Sequence, residues 1–164
     1  MPNNIKKILG IDPGTVRIGY GLIEKNGGKL SLIKSGLLNI VSTEKIERLY
    51  ELEKDFQKLL KETKPDLVAL EKLYFLKNKK TALDVAEARG ILLVNVHKAG
   101  IPLVEFSPPQ VKSAVAGYGK ADKSAVAKMA ARFLGMESID AIDDVTDAIA
   151  IAIAASNNRT GLTS

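Results

Sequence analysis

The chain has 164 residues, 46% hydrophobic and 26% charged, a length and balance that suit one domain with its own core and exclude a disordered or fibrous protein. It contains no cysteine, which excludes disulfides, thiolate zinc sites and cysteine nucleophiles and fits a reducing compartment. The formal net charge of +5 favours a polyanionic partner without identifying one. No charge-free apolar run approaches the roughly 18 residues of a membrane span. The N-terminal residues lead into a strand pattern without the apolar core of a signal peptide, so the expected location is the cytoplasm.

The first elements read as three strands, at residues 8–11, 17–24 and 30–38. Asp12-Pro13-Gly14-Thr15 and Asn26-Gly27-Gly28 supply the turns between them, which makes the strands an antiparallel meander. Ser42 or Thr43 can cap a helix in which Ile46, Leu49, Leu52, Phe56, Leu59 and Leu60 recur at helical spacing. Lys64-Pro65-Asp66 stops it, and residues 67–71 form a fourth strand. A second helix spans residues 81–98 and breaks at Ala99-Gly100-Ile101-Pro102. A fifth strand occupies residues 103–106. Three helices follow, at residues 109–116, 123–134 and 145–155, and the polar tail 157–164 frays. The order β-β-β-α-β-α-β-α-α-α predicts an α/β fold with a five-stranded mixed sheet, in one domain over residues 1–156.

Four carboxylates stand out from this basic chain. Asp12 and Glu71 each close an apolar strand, where a charge is costly unless something pairs with it. Neighbouring strands lie about 4.8 Å apart, so two such ends can bracket a cation. Asp144 and Asp147, three apart, share a helix face. An all-oxygen donor set suits Mg²⁺, with Mn²⁺ as the alternative, and two ions about 4 Å apart would form the clamp used in phosphodiester hydrolysis. Each residue also has a plainer reading. Asp12 starts a turn, Glu71 is a solvated edge charge, and Asp143, Asp144 and Asp147 are helix-start charges. Their combination favours a metal site in an enzyme acting on nucleic acid.

Other residues extend that surface. Leu73-Tyr74-Phe75-Leu76 is followed by Lys77, Lys79 and Lys80, and aromatic and basic residues interleaved beside a catalytic site suit a base-stacking wedge. Lys112, Lys120 and Lys123 surround a glycine loop and a helix start, where phosphate contacts form readily. His97 has no partner in any motif and reads as a structural or surface residue.

Over roughly residues 6–156 the chain resembles the RuvC family of Holliday junction resolvases. The resemblance lies in Leu9-Gly10-Ile11-Asp12-Pro13-Gly14-Thr15, Ala69-Leu70-Glu71-Lys72-Leu73-Tyr74-Phe75 and Asp144-Val145-Thr146-Asp147-Ala148-Ile149-Ala150-Ile151-Ala152. Glu87-Ala88-Arg89-Gly90, Pro109-Gln110-Val111-Lys112 and Gly117-Tyr118-Gly119-Lys120-Ala121-Asp122-Lys123 add to it.

The resemblance implies an RNase H-like fold, with Asp12, Glu71, Asp144 and Asp147 as metal-binding catalytic residues. Family members carry His or Asp at the position of Asp144. It also implies an aromatic wedge at Tyr74, with Phe75 the competing candidate, and a homodimer acting on four-way junction DNA. The nicks would be paired and symmetric, with 5′-phosphate and 3′-hydroxyl ends, in recombination and repair. A branch-migration helicase complex of the RuvA and RuvB type is the expected partner. Leu83, Ala86, Gly90 and Val94 on the second helix are the expected dimer surface. Another RNase H-fold nuclease (ribonuclease H or YqgF-type) and a non-catalytic junction-binding protein are the alternatives. A sugar kinase or actin-like protein shares the Asp12-x-Gly14-Thr15 pattern but needs two such domains.

Overall fold

The computed structural model describes residues 6–14, 17–73 and 79–157. The strands are β1 (Lys7–Pro13), β2 (Ile18–Asn26), β3 (Lys29–Leu37), β4 (Leu67–Glu71) and β5 (Leu103–Phe106). The helices are α1 (Lys45–Thr63), α2 (Lys79–Lys98), α3 (Pro108–Ala116), α4 (Lys123–Phe133) and α5 (Asp143–Asn157). The strands form one sheet in the order β3-β2-β1-β4-β5. The β1–β2 and β2–β3 pairs are antiparallel, and β4 runs parallel to both β1 and β5. This is the expected mixed sheet. Gly27 and Gly28 close the β2–β3 hairpin at φ 63° and 128°, conformations that a Cβ disfavours.

Alternation along the strands divides the core into two layers. Leu9, Ile11, Val68 and Leu70 point to one face, where they pack with Leu52, Phe56, Leu59 and Leu60 of α1 and Ala88, Leu92 and Val96 of α2. Ile8, Leu67 and Ala69 point to the other, where they meet Val111 and Val115 of α3, Ala130 of α4 and the apolar body of α5. Helix α5 is buried from Ala148 to Ser156, as expected of a helix that is apolar all round.

The first helix differs from expectation at its start. Glu44, rather than Ser42 or Thr43, is the cap, and its carboxylate accepts from the amides of Ile46 at 3.1 Å and Glu47 at 2.8 Å. A carboxylate satisfies two free amides and adds favourable charge at the helix N-terminus. Ser42 Oγ instead accepts from the Glu44 amide. The buried stripe of α1 begins at Leu52, and Ile46, expected to share that stripe, is 68% exposed in the first turn. Helix α2 already includes Lys79 and Lys80, before the expected start at residue 81, and α5 starts at Asp143, two residues before the expected 145. Asp143 and Asp144 therefore lie inside the first turn of α5. Among the described residues no helix is long and apolar enough to cross a membrane.

Candidate active site

Register brings the first two carboxylates together. Gly10 pairs with Ala69 and Ile11 with Leu70 across the parallel β1–β4 ladder, so Asp12 and Glu71 stand level one step further on. Alternation directs both to the face that carries Ile8, Leu67 and Ala69, the face under α5. Their carboxyl groups are in direct contact, and that contact raises the Asp12 carboxyl while it lowers that of Glu71.

Burial first, and then Glu71, Asp147 and Asp144, push the Asp12 carboxyl up to about 8. Burial and Asp147 also raise Glu71, while the hydrogen bond from Asp12 and the charges of Lys112 and Lys123 oppose the rise. Asp147 is raised by burial, with Lys123 acting against it and Asp143 and Asp144 reinforcing it.

The second pair arrives on α5, which can approach only because β1 and β2 present glycine. A Cβ at Gly19 would lie 2.1 Å from the Asp144 carbonyl oxygen, and one at Gly10 would lie 2.1 Å from that of Ala148. Both distances are far inside van der Waals contact, and the obstacle is backbone, which cannot step aside. The helix thus rests on the sheet with almost nothing between the two backbones. Its first turn lies over Gly19, the β2 partner of Asp12, and so brings Asp144 and Asp147 to the acidic cluster.

Cations ring this cluster. Lys123, the first residue of α4, places Nζ 3.6 Å from an Asp143 carboxylate oxygen and 3.9 Å from one of Asp147. Its ammonium pKa is raised, chiefly by Asp147. Lys112 on α3 acts on both Glu71 and Asp147.

Sequence reasoning missed Arg17, whose Nε lies 3.1 Å from Asp144 Oδ2. The available signal was a lone cation five residues after Asp12, on the far side of the Asp-Pro-Gly turn. Lys120 is exposed in the turn between α3 and α4. Lys79 and Lys80 are exposed in the first turn of α2. Lys80 lines a cavity with Ile18, Leu52 and Ala88, which puts it toward the α1/α2 side of the sheet. Tyr74, Phe75 and Lys77 lie outside the described residues. His97 is exposed near the end of α2, in keeping with a surface role.

The donor chemistry suits a hard divalent cation: half-buried carboxylates that repel one another gain from a positive charge set between them. As the side chains stand, no three acidic or histidine groups among the described residues are arranged to hold an ion. Asp144 leans to Arg17 and Asp147 to Lys123, so these two contacts compete with a metal for the same oxygens.

Comparison with known proteins agrees with this geometry. The family model described as crossover junction endodeoxyribonuclease RuvC matches residues 8–155. The crossover junction endodeoxyribonuclease RuvC of Syntrophomonas wolfei is 45% identical over 150 residues, covering 90% of this chain and 86% of that protein. That of Thermosipho melanesiensis is also 45% identical over 150 residues, covering 89% and 94%. The structure of T. thermophilus RuvC in complex with a Holliday junction substrate superposes with a TM-score of 0.85 at 31% identity, covering 92% of this chain and 93% of that one. The yeast mitochondrial Holliday junction resolvase Ydc2 shares the fold, with a TM-score of 0.73 at 19% identity. The RNase H-like architecture is therefore common to all of them. With the match running the length of the sheet and through α5, this chain belongs to the RuvC family of crossover junction endodeoxyribonucleases.

Proposed function

We propose that Asp12, Glu71, Asp144 and Asp147 are the catalytic, metal-binding residues with which this metal-dependent nuclease resolves four-way DNA junctions. The observation that carries the assignment is the meeting of Asp12 and Glu71 at level ends of two parallel strands, under the first turn of α5. Two Mg²⁺ ions, or Mn²⁺ in their place, would supply the Lewis acidity that activates water and stabilises the departing 3′ oxygen. The chain's own groups prepare for this. Asp12 and Glu71, whose mutual repulsion and burial disfavour both charges at once, would gain most from a cation set between them. Asp12, Glu71, Asp144 and Asp147 would hold the ions, while Arg17 beside Asp144, Lys123 beside Asp147 and Lys112 near Glu71 place positive charge where the phosphates of the substrate would lie. Lys120, Lys79, Lys80 and Lys77 extend the phosphate-binding surface, and Tyr74 or Phe75 forms the wedge at the opened junction.

A homodimer suits a four-way junction because two-fold symmetry places identical sites on two related strands. Leu83 (64% exposed) and Val94 (51% exposed), with Ala86 and Gly90 between them on α2, support that helix as the dimer surface. The protein acts as a single domain over residues 1–156, in the cytoplasm, on junctions delivered by a RuvA- and RuvB-type helicase.

The test is a synthetic immobile junction carrying several core sequences, incubated with Mg²⁺ or with chelator and mapped on all four strands. Paired symmetric nicks that need metal are expected. Asp147→Asn should lower cleavage by about three orders of magnitude, as when one member of a catalytic unit is removed, with junction binding retained or tightened. Cleavage of an RNA–DNA hybrid but not of the junction would overturn the substrate assignment. Equal loss of binding and cleavage in Asp147→Asn would overturn the catalytic one.

A further inference from the structure

We propose that Arg89, on the side of the sheet away from the acidic cluster, is a positioning residue that holds the end of β4 where Glu71 must stand. The inference rests on the reading of Glu71 as a metal-binding carboxylate. Arg89 lies on α2 with its side chain only 13% exposed. Its Nε donates to the main-chain carbonyl of Glu71 at 3.2 Å, and its Nη2 donates to the carboxylate of Glu105. Glu105 is the β5 residue paired with Leu70, one position before Glu71. Leu70 packs in the α1/α2 layer, so the guanidinium reaches β4 from beneath while the Glu71 side chain projects above. Arg89 touches no reacting atom.

The need for such a hold follows from where β4 stops. On the β1 side the ladder ends with the Ile11–Leu70 pair. On the β5 side it runs to Glu71–Phe106, and the Lys72 amide donates to the Phe106 carbonyl at 2.7 Å. Lys72 and Leu73 beyond are exposed. The peptide after Glu71 is thus tied laterally to β5 and from below to Arg89. Tilting that peptide would swing the Cα–Cβ bond of Glu71 and move its carboxylate away from Asp12.

Arginine suits the task because its planar fork serves two acceptors at once, one charged and one neutral. An apolar side chain of similar volume could stabilise the protomer as well as a buried ion pair does. It could not aim a donor at the Glu71 carbonyl. Groups that orient metal ligands from outside the coordination shell commonly set affinity and rate together.

The experiment compares wild type, Arg89→Gln and Arg89→Lys by Mn²⁺ calorimetry without DNA, single-turnover junction cleavage at saturating DNA, junction binding in chelator, and thermal melting. Arg89→Gln should weaken Mn²⁺ binding and slow cleavage each by about 10- to 100-fold, with junction affinity unchanged. Arg89→Lys keeps a charge for Glu105 but loses the fork. It should melt near wild type and still show part of both defects, so the inference stays testable if Arg89→Gln does not fold. Wild-type Mn²⁺ affinity and cleavage in Arg89→Lys would reduce Arg89 to a structural ion pair and overturn the proposal. A wild-type protein that binds Mn²⁺ but cuts no junction would sink the substrate assignment and leave the calorimetric test of Arg89 standing.

Discussion

Beneath α1 and α2 the sheet is packed by side chains: Leu9, Ile11, Val68 and Leu70 interleave with Leu52, Phe56 and Leu92, so the helices stand off at the width of two side-chain layers. Beneath α5 it is packed largely by backbone, since Gly10 and Gly19 let the carbonyls of Ala148 and Asp144 come down onto the strands. The first arrangement maximises buried apolar area and tolerates small shifts, because flexible side chains can repack. The second fixes a distance. On the proposed reading, carboxylates that share ions must meet within a few ångströms, and a helix separated by a layer of leucines would carry Asp144 and Asp147 out of reach of Asp12.

Substitution can separate these two roles. Phe56→Ala empties a fully buried ring position on the side-chain face, and the expected loss of stability is about 3–5 kcal/mol by chemical denaturation. Cleavage measured well below the melting temperature should be near wild type. Gly19→Ala drives a Cβ into the backbone of α5 and should cost a comparable amount of stability, about 3 kcal/mol or more. In protein that remains folded, unlike Phe56→Ala, it should slow cleavage by about 100-fold, because displacing α5 misplaces Asp144. If the two variants lose activity in proportion to stability, the division between the faces is wrong.

The pH dependence sharpens the same contrast. Burial and its acidic neighbours push Asp12 up to about 8 from an ordinary 3.8. The native state therefore holds a proton that the unfolded chain releases. In chelator, stability should be highest below about pH 4 as far as this group is concerned, and should fall as pH rises through about 8. Asp12→Asn should flatten that slope, whereas Phe56→Ala should lower the whole curve without changing its shape. Thermal melts across pH, with and without Mg²⁺, decide the point, and Mg²⁺ should remove most of the slope in wild type.

Two smaller effects complete the series. Lys123→Ala, beside Asp147, should weaken junction binding and reduce the slope of log affinity against log salt by about one. An unchanged slope would take Lys123 out of the phosphate contacts. Gly90→Ala lies on the outer side of α2, where an added Cβ meets nothing within 4 Å. It should stabilise the helix by about 0.5–1 kcal/mol, in contrast to glycine substitution under α5. A loss instead would show that the backbone of another subunit packs there.

Much of this design is legible in the residues. Apolar patterning and turn chemistry foretell five strands along the chain but not their order in the sheet, and helical spacing foretells the five helices to within two or three residues at each end. Glu44 was overlooked as a cap because the short side chains before it are commoner in that role, while its own longer reach is visible only once the chain has turned. The acidic quartet could be listed, but sequence alone leaves its assembly open. Nothing in Gly10 or Gly19 says which helix will lie across them, and nothing in Arg17 or Arg89 says which carboxylate each will meet.

What the sequence by itself determined is therefore local and periodic: the elements, the two apolar faces, the basic surface and the four conspicuous carboxylates. Each follows from chain geometry that repeats within a few residues. What only the tertiary structure decided is distance. Parallel register sets Asp12 level with Glu71, glycine contact with α5 brings in Asp144 and Asp147, and Arg89 ties the end of β4 from below. These relations join residues far apart in the chain, and they exist only once the sheet and its helices have packed.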